Sequence, residues 1–267
     1  EASNWEQACD YFARADAGTA KTYVGRMMRA AYSAKDTSKL VRLVQKYVSP
    51  TYRATPAEKI VAWNMVYKSS SGGASNQAAQ QIMALFRQSG GNVEGEALRA
   101  VGELVFKQVN GAMAQYKKVK IRGGTVDAMV ASIQTKAQAL GQLQQAYGQV
   151  LQTKDAYWGV AALYQMGYAN ELLADELENP PEIKGAPIED VKKQLAPDAK
   201  AARREAGQFY KNAIKAVSQF KVYNEWAAKA ISGLARNSGQ KESFDDIIIK
   251  PDFVGGLVPA GVVDSVK

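Results

Sequence analysis

Between Asp155 and Ala235 the chain carries two long runs, DAYWGVAALYQMGYANELLADEL and EAGQFYKNAIKAVSQFKVYNEW, whose apolar residues recur every three or four positions. That period puts a stripe on one side of an α-helix and fits no strand. From Asp155 to Met166 nearly every face is apolar or aromatic, through Tyr157, Trp158, Val160, Leu163 and Tyr164, so this helix is expected to be covered on several sides. After Asn170 it turns amphipathic, with Glu171, Asp175 and Glu178 on one face, and Asn179-Pro180-Pro181 ends it. Pro187 and Pro197 then punctuate a loop and a short helical turn. From Asp198 a long helix aligns Ala199, Ala202, Ala206, Tyr210, Ala213, Val217 and Phe220. A further helix opens at Val222-Tyr223-Asn224-Glu225-Trp226 and ends near Gly233–Asn237.

The rest of the chain reads the same way in shorter pieces. Asn4 to Ala17 is helical through Trp5, Ala8, Phe12 and Ala15, and Gly18 ends it; Thr19 opens a second helix through Tyr23, Met27, Ala30 and Ala31. Ser38 to Val48 follows, stopped by Ser49-Pro50, because proline bars the residue before it from the helical conformation. Thr55-Pro56 starts a fourth helix, proline being tolerated in a first turn. Gln77 to Arg87, Glu96 to Gln108 and a short piece from Gly111 to Val119 come next. Thr125 to Gln152 forms a heptad seam of Val126, Val130, Ile133, Ala137, Leu140, Tyr147 and Leu151, with Gln144 in the slot that breaks the series. The expected organisation is short helical hairpins over 1–124, a long-helix module over 125–237 and an extended tail over 238–267. In that tail Phe244, Ile247, Ile248, Ile249, Phe253 and Val254 form a segment docked on the scaffold or offered to another chain.

Composition narrows the chemistry. With no histidine the chain has no Ser-His-Asp or Cys-His machinery and no His-ligated metal. Its single cysteine, Cys9, excludes an internal disulfide framework. No stretch reaches the ~20 apolar residues that span a bilayer. A chain that opens on Glu1 without Met is expected to be a processed or trimmed product. The net charge of +8 invites polyanions, but the 34 basic residues are interleaved with 26 acidic ones.

Three clusters are candidates for binding. Tyr116, Lys117 and Lys118, followed by Lys120 and Arg122 before Gly123-Gly124, could grip an anion; the plainer reading is a solvated helix end, whose carbonyls favour cations. No GxxxxGK[ST] run accompanies them. Lys192, Lys193, Arg203 and Arg204 are candidates for contacts with an acidic partner. Glu171, Asp175 and Glu178 could hold a metal or do acid–base work, against the reading of a solvated acidic stripe. Asp245-Asp246 alone lacks the ligands Ca²⁺ needs. No cofactor and no metal are expected.

Met166-Gly167, with Leu163 three residues earlier, resembles the Leu-Gly pair in the first helix of a tetratricopeptide repeat. Ala206, Tyr210 and Ala213 match that repeat's second helix in type and spacing, with small residues for close helix approach and an aromatic filling the gap. Two features depart from the pattern. Asn170 stands where an aromatic belongs, and the half-motifs are about 27 residues farther apart than a ~34-residue repeat allows. From Lys154 to Arg236 the chain is similar to envelope-associated tetratricopeptide proteins of gliding and predatory bacteria. The resemblance implies an all-α, right-handed superhelical stack of hairpins. It also implies a non-catalytic scaffold in the periplasm or cell envelope that holds a protein or peptide in a concave groove. The alternatives are a basic-surface binder of an anionic envelope polymer or nucleic acid, and a carboxylate-based glycan-active enzyme.

Overall fold

Short polar side chains set where the helices begin. In the computed structural model, which describes residues 2–238, ten α-helices follow one another: α1 (Ala2–Ala15), α2 (Ala17–Ser33), α3 (Thr37–Tyr47), α4 (Pro56–Ser69), α5 (Gly72–Gln88), α6 (Gly95–Lys118), α7 (Val126–Gln152), α8 (Ala156–Glu178), α9 (Ile188–Phe220) and α10 (Glu225–Ser238). The described residues contain no strand, only one bridge between Gly124 and Ile183. The all-α class expected from the sequence is therefore the class observed. Asp16 caps α2 through the amides of Gly18 and Thr19, so the first two helices meet there rather than at Gly18. Asp36 caps α3, Thr125 caps α7 and Asp155 caps α8. Thr55 and Glu58 form a reciprocal capping box on α4, with Pro56 in its first turn.

The chain divides into two compact units, Glu1–Val105 and Phe106–Lys267, with the boundary inside α6. That boundary lies before the division after Gly124 that the sequence suggests. In the first unit each helix packs on the next from α1 to α5, and α2 also touches α4. Lys46 and the Tyr52 hydroxyl both bond Asp10 at 2.7 Å, tying α1 to the turn after α3. In the second unit α8 packs on α7, α9 and α10, and α9 on α10.

Helices α6, α9 and α7 differ from the sequence reading. α6 runs unbroken through Asn110-Gly111, because one interior glycine costs only about 1 kcal/mol while Phe106, Met113 and Tyr116 are buried on either side of it. α9 begins at Ile188 and continues through Pro197. Val191 before that proline and Ala199 after it are buried in one cluster with Met129, Leu177 and Ile183, which holds the helix together across the missing hydrogen bond. α7 buries Leu140 and Tyr147 as the heptad reading expected, but the rest of its inner side differs. Val126 and Val130 are about half exposed and Ala137 is exposed, while Met129, Ser132, Lys136, Leu140, Leu143, Tyr147 and Val150 are buried. The apolar tail of Phe244, Ile247, Ile248, Ile249, Phe253 and Val254, and the pair Asp245-Asp246, lie outside the described residues.

Candidate functional site

The second unit is pinned by one ring. Tyr210 of α9, fully buried, lies between Gly167 of α8 and Gly233 of α10. A Cβ at Gly167 would stand 2.7 Å from the ring, and one at Gly233 2.5 Å from it, so only glycine fits on either side. Ala206 and Ala213, one turn away on each side, are also fully buried and let the backbones close. Leu163 is half-buried and Met166 buried beside them. Gly167, Ala206, Tyr210 and Ala213 thus meet in one three-helix contact, although Gly167 and Tyr210 are far apart in sequence.

The acidic face of α8 is not solvated as the sequence suggested. Glu171 is buried; it accepts from the Tyr210 hydroxyl at 2.5 Å and from Arg236 Nε of α10 at 2.7 Å. Burial pushes the Glu171 carboxyl up, but the bonds from Arg236 and Tyr210 outweigh it and hold the group below the usual carboxylate range. The Tyr210 hydroxyl is pushed far up by burial and by its bond to Glu171. Asp175 and Glu178 both receive Arg203, Glu178 at 2.6 Å, and Arg203 also bonds Asn237. These contacts tie the ends of α8, α9 and α10 together.

Stability should therefore fall in acid. A carboxylate held low in the fold contributes fully above its unfolded value near 4.5, and the contribution disappears as the pH drops through the lower folded value. Glu176 and Glu178 are held low as well, burial being the first, opposing influence on Glu176 and the Arg203 bond the leading cause at Glu178. Thermal melting followed from pH 6 to pH 3 is expected to show a steep loss of stability below about pH 5. Glu171→Gln should lower the plateau and flatten that slope. An unchanged slope in the variant would remove Glu171 from the account.

Several expected contact residues take other roles. Tyr116 is 2% exposed, and its hydroxyl donates to the carbonyl of Ala169 at 2.9 Å, so it is a strut between α6 and α8 rather than a partner contact. Arg203 is bound by two carboxylates, which corrects its placement among exposed cations. Lys192 is half-buried and bonds Glu189 at 3.1 Å, while Lys193 and Arg204 are exposed. Lys117 and Lys118 are exposed at the end of α6.

Lys117 belongs to a trough of about 370 Å³ lined by α6, α8 and α10. Its wall is aromatic: Tyr164 and Tyr168 stack with ring centres 6.1 Å apart, and Trp226 stands 5.7 Å from Tyr164. Two lysines lie on these rings, Lys117 4.8 Å above Tyr168 and Lys229 4.1 Å above Trp226. Gln165 adds an amide. Half-buried aromatic faces under cationic heads suit a peptide carrying apolar and acidic side chains. No family model, curated protein or solved structure matches this chain at a significant level. Sequence reasoning found Lys117 from its basic run but not Tyr168, Trp226 and Lys229, which sit on other helices and converge only after folding. Among the described residues no cluster of acidic or sulfur side chains could hold a metal ion, and no helix is long and apolar enough to cross a membrane.

Proposed function

We propose that this protein is a non-catalytic, tetratricopeptide-like scaffold that holds a protein partner in the trough between α6, α8 and α10. The observation that carries the reading is that alternate helices of the second unit, α6, α8 and α10, share one face, and that this face gathers Tyr164, Tyr168, Trp226, Lys117 and Lys229. In such a stack the first helix of each hairpin lines the inner surface, and side chains there are free to bind while the second helices make the core. The wedge of Tyr210 between two glycines supports the same reading, since small residues beside an aromatic are how hairpins of this kind close on each other. The acids that an enzymatic alternative would use, Glu171 and Asp175, are engaged by arginines, and Glu171 also by Tyr210. Resemblance to envelope-associated scaffolds extends the proposal to a setting in the bacterial periplasm or cell envelope, in a motility, surface or predation assembly.

Crosslinked capture from envelope extract, followed by binding measurements with the partner it identifies, tests the reading. Tyr168→Ala and the pair Lys117→Glu, Lys229→Glu should each weaken that partner by about 2 kcal/mol, roughly thirty-fold, while leaving the melting curve of the chain intact. Retained affinity in both variants would refute the trough. Affinity that falls log-linearly and steeply with salt, together with binding to any polyanion, would favour the basic-surface alternative.

A further inference from the structure

A second groove opens on another side of the same unit, between the end of α6 and the outer side of α7. It holds about 830 Å³, and no acidic residue lines it. Its wall is small and partly apolar at Ala131, Ala139 and Leu143, and its mouth carries Lys118, Lys120 and Arg122. Lys120 is engaged by Glu176 at 2.8 Å. Among the described residues no carboxylate pairs with Lys118 or Arg122, so two cations stand at the mouth uncompensated.

The mouth is held in place from behind. Buried Lys136 donates to the carbonyl of Val119 at 2.6 Å and to Glu176 at 3.0 Å, and the Ser132 hydroxyl accepts from the backbone N–H of Arg122 at 2.9 Å. The turn from 119 to 122 is thereby fixed to α7, and a ligand would not have to order it.

We infer that this groove binds an acidic amphipathic helix of a partner protein, with the apolar face of that helix on Ala131 and Ala139 and its carboxylates on Lys118 and Arg122. The small side chains of the wall let a helix backbone approach closely. Charge selects the sign of the partner: a second copy of this chain, at +8, brings the wrong one. Nucleic acid fits poorly, since Tyr116 is buried and offers no stacking face while much of the wall is apolar. The inference does not depend on the trough under α8, because the two sites share no residue.

The probe is a fluorescein-labelled helical peptide of Leu, Ala and Glu, with a counterpart carrying Lys for Glu, titrated against the full chain by anisotropy. The acidic peptide should bind and the basic one should not. Lys118→Glu with Arg122→Glu should weaken binding at least roughly tenfold, as should Ala131→Trp, which fills the groove. Lys200→Glu with Lys215→Glu on α9 changes the net charge equally and should leave binding within about twofold. Circular-dichroism melts confirm that each variant folds. Equal losses from the α9 control would reduce the effect to net charge and overturn the inference. Binding that emerges only after residues 239–267 are removed would also overturn it, by making the occupant a part of this chain.

Discussion

Gly167→Ala is expected to destabilise the second unit by about 3 kcal/mol, the size of a severe overpacking defect, although it adds a single methyl group. At most helix positions glycine to alanine stabilises, because it removes unfolded-state freedom and improves helix propensity. Here the new Cβ would stand 2.7 Å from the Tyr210 ring. That ring cannot retreat, because Gly233 of α10 closes its other face at 2.5 Å for the same hypothetical atom, and its hydroxyl is bonded to Glu171. Thermal unfolding should show a midpoint lowered by several degrees. A double-mutant cycle isolates the cause. Tyr210→Ala alone should cost about 3–5 kcal/mol through the cavity it leaves, and adding Gly167→Ala on top should then cost little. Additive losses would mean that the glycine matters for some reason other than the ring.

The Tyr210 contact was legible in the sequence because each half is local. Ala206, Tyr210 and Ala213 fall on one side of a helix by spacing alone, and Gly167 follows a bulky residue in a helix otherwise apolar all round. What closes the contact, Gly233, was read only as the end of α10, since a glycine near a helix terminus ordinarily means a cap. Glu171 was misread for a related reason. Its spacing with Asp175 and Glu178 announces a shared face but not what covers it, and Arg236 lies 65 residues away. The inner side of α7 was found only in part, at Leu140 and Tyr147, because the heptad reading passed over the polar Ser132 and Lys136 and took in Val126 and Val130 instead. A lysine is almost never fully buried without a partner, so its place in the core follows only from Glu176 on α8. The aromatic trough likewise needs α6, α8 and α10 together, and no window along the chain contains all three.

Removing Glu176 should therefore cost more than removing the lysine it serves. Lys136 is wholly enclosed, with its ammonium 4.3 Å above the Tyr116 ring and bonded to Glu176 and the Val119 carbonyl. Burial pulls its proton affinity down, and the bond to Glu176 works against that shift. Glu176→Gln leaves a buried cation without a counter-charge, which costs about 3 kcal/mol. Its amide keeps one of the two acceptor oxygens, so Lys120 and the backbone N–H of Ile121 cannot both be served, and the turn at the mouth of the outer groove loosens as well. Lys136→Met removes the charge and keeps the volume. Glu176 then still holds Lys120 and is reachable by water, so the loss should stay near 1 kcal/mol. In the double variant most of the Glu176→Gln penalty should disappear, because no buried cation is left to strand. Urea unfolding of the three variants decides it. If Lys136→Met proves as damaging as Glu176→Gln, the lysine contributes through its bond to Val119 and its contact with Tyr116, and the ion pair is incidental to the fold.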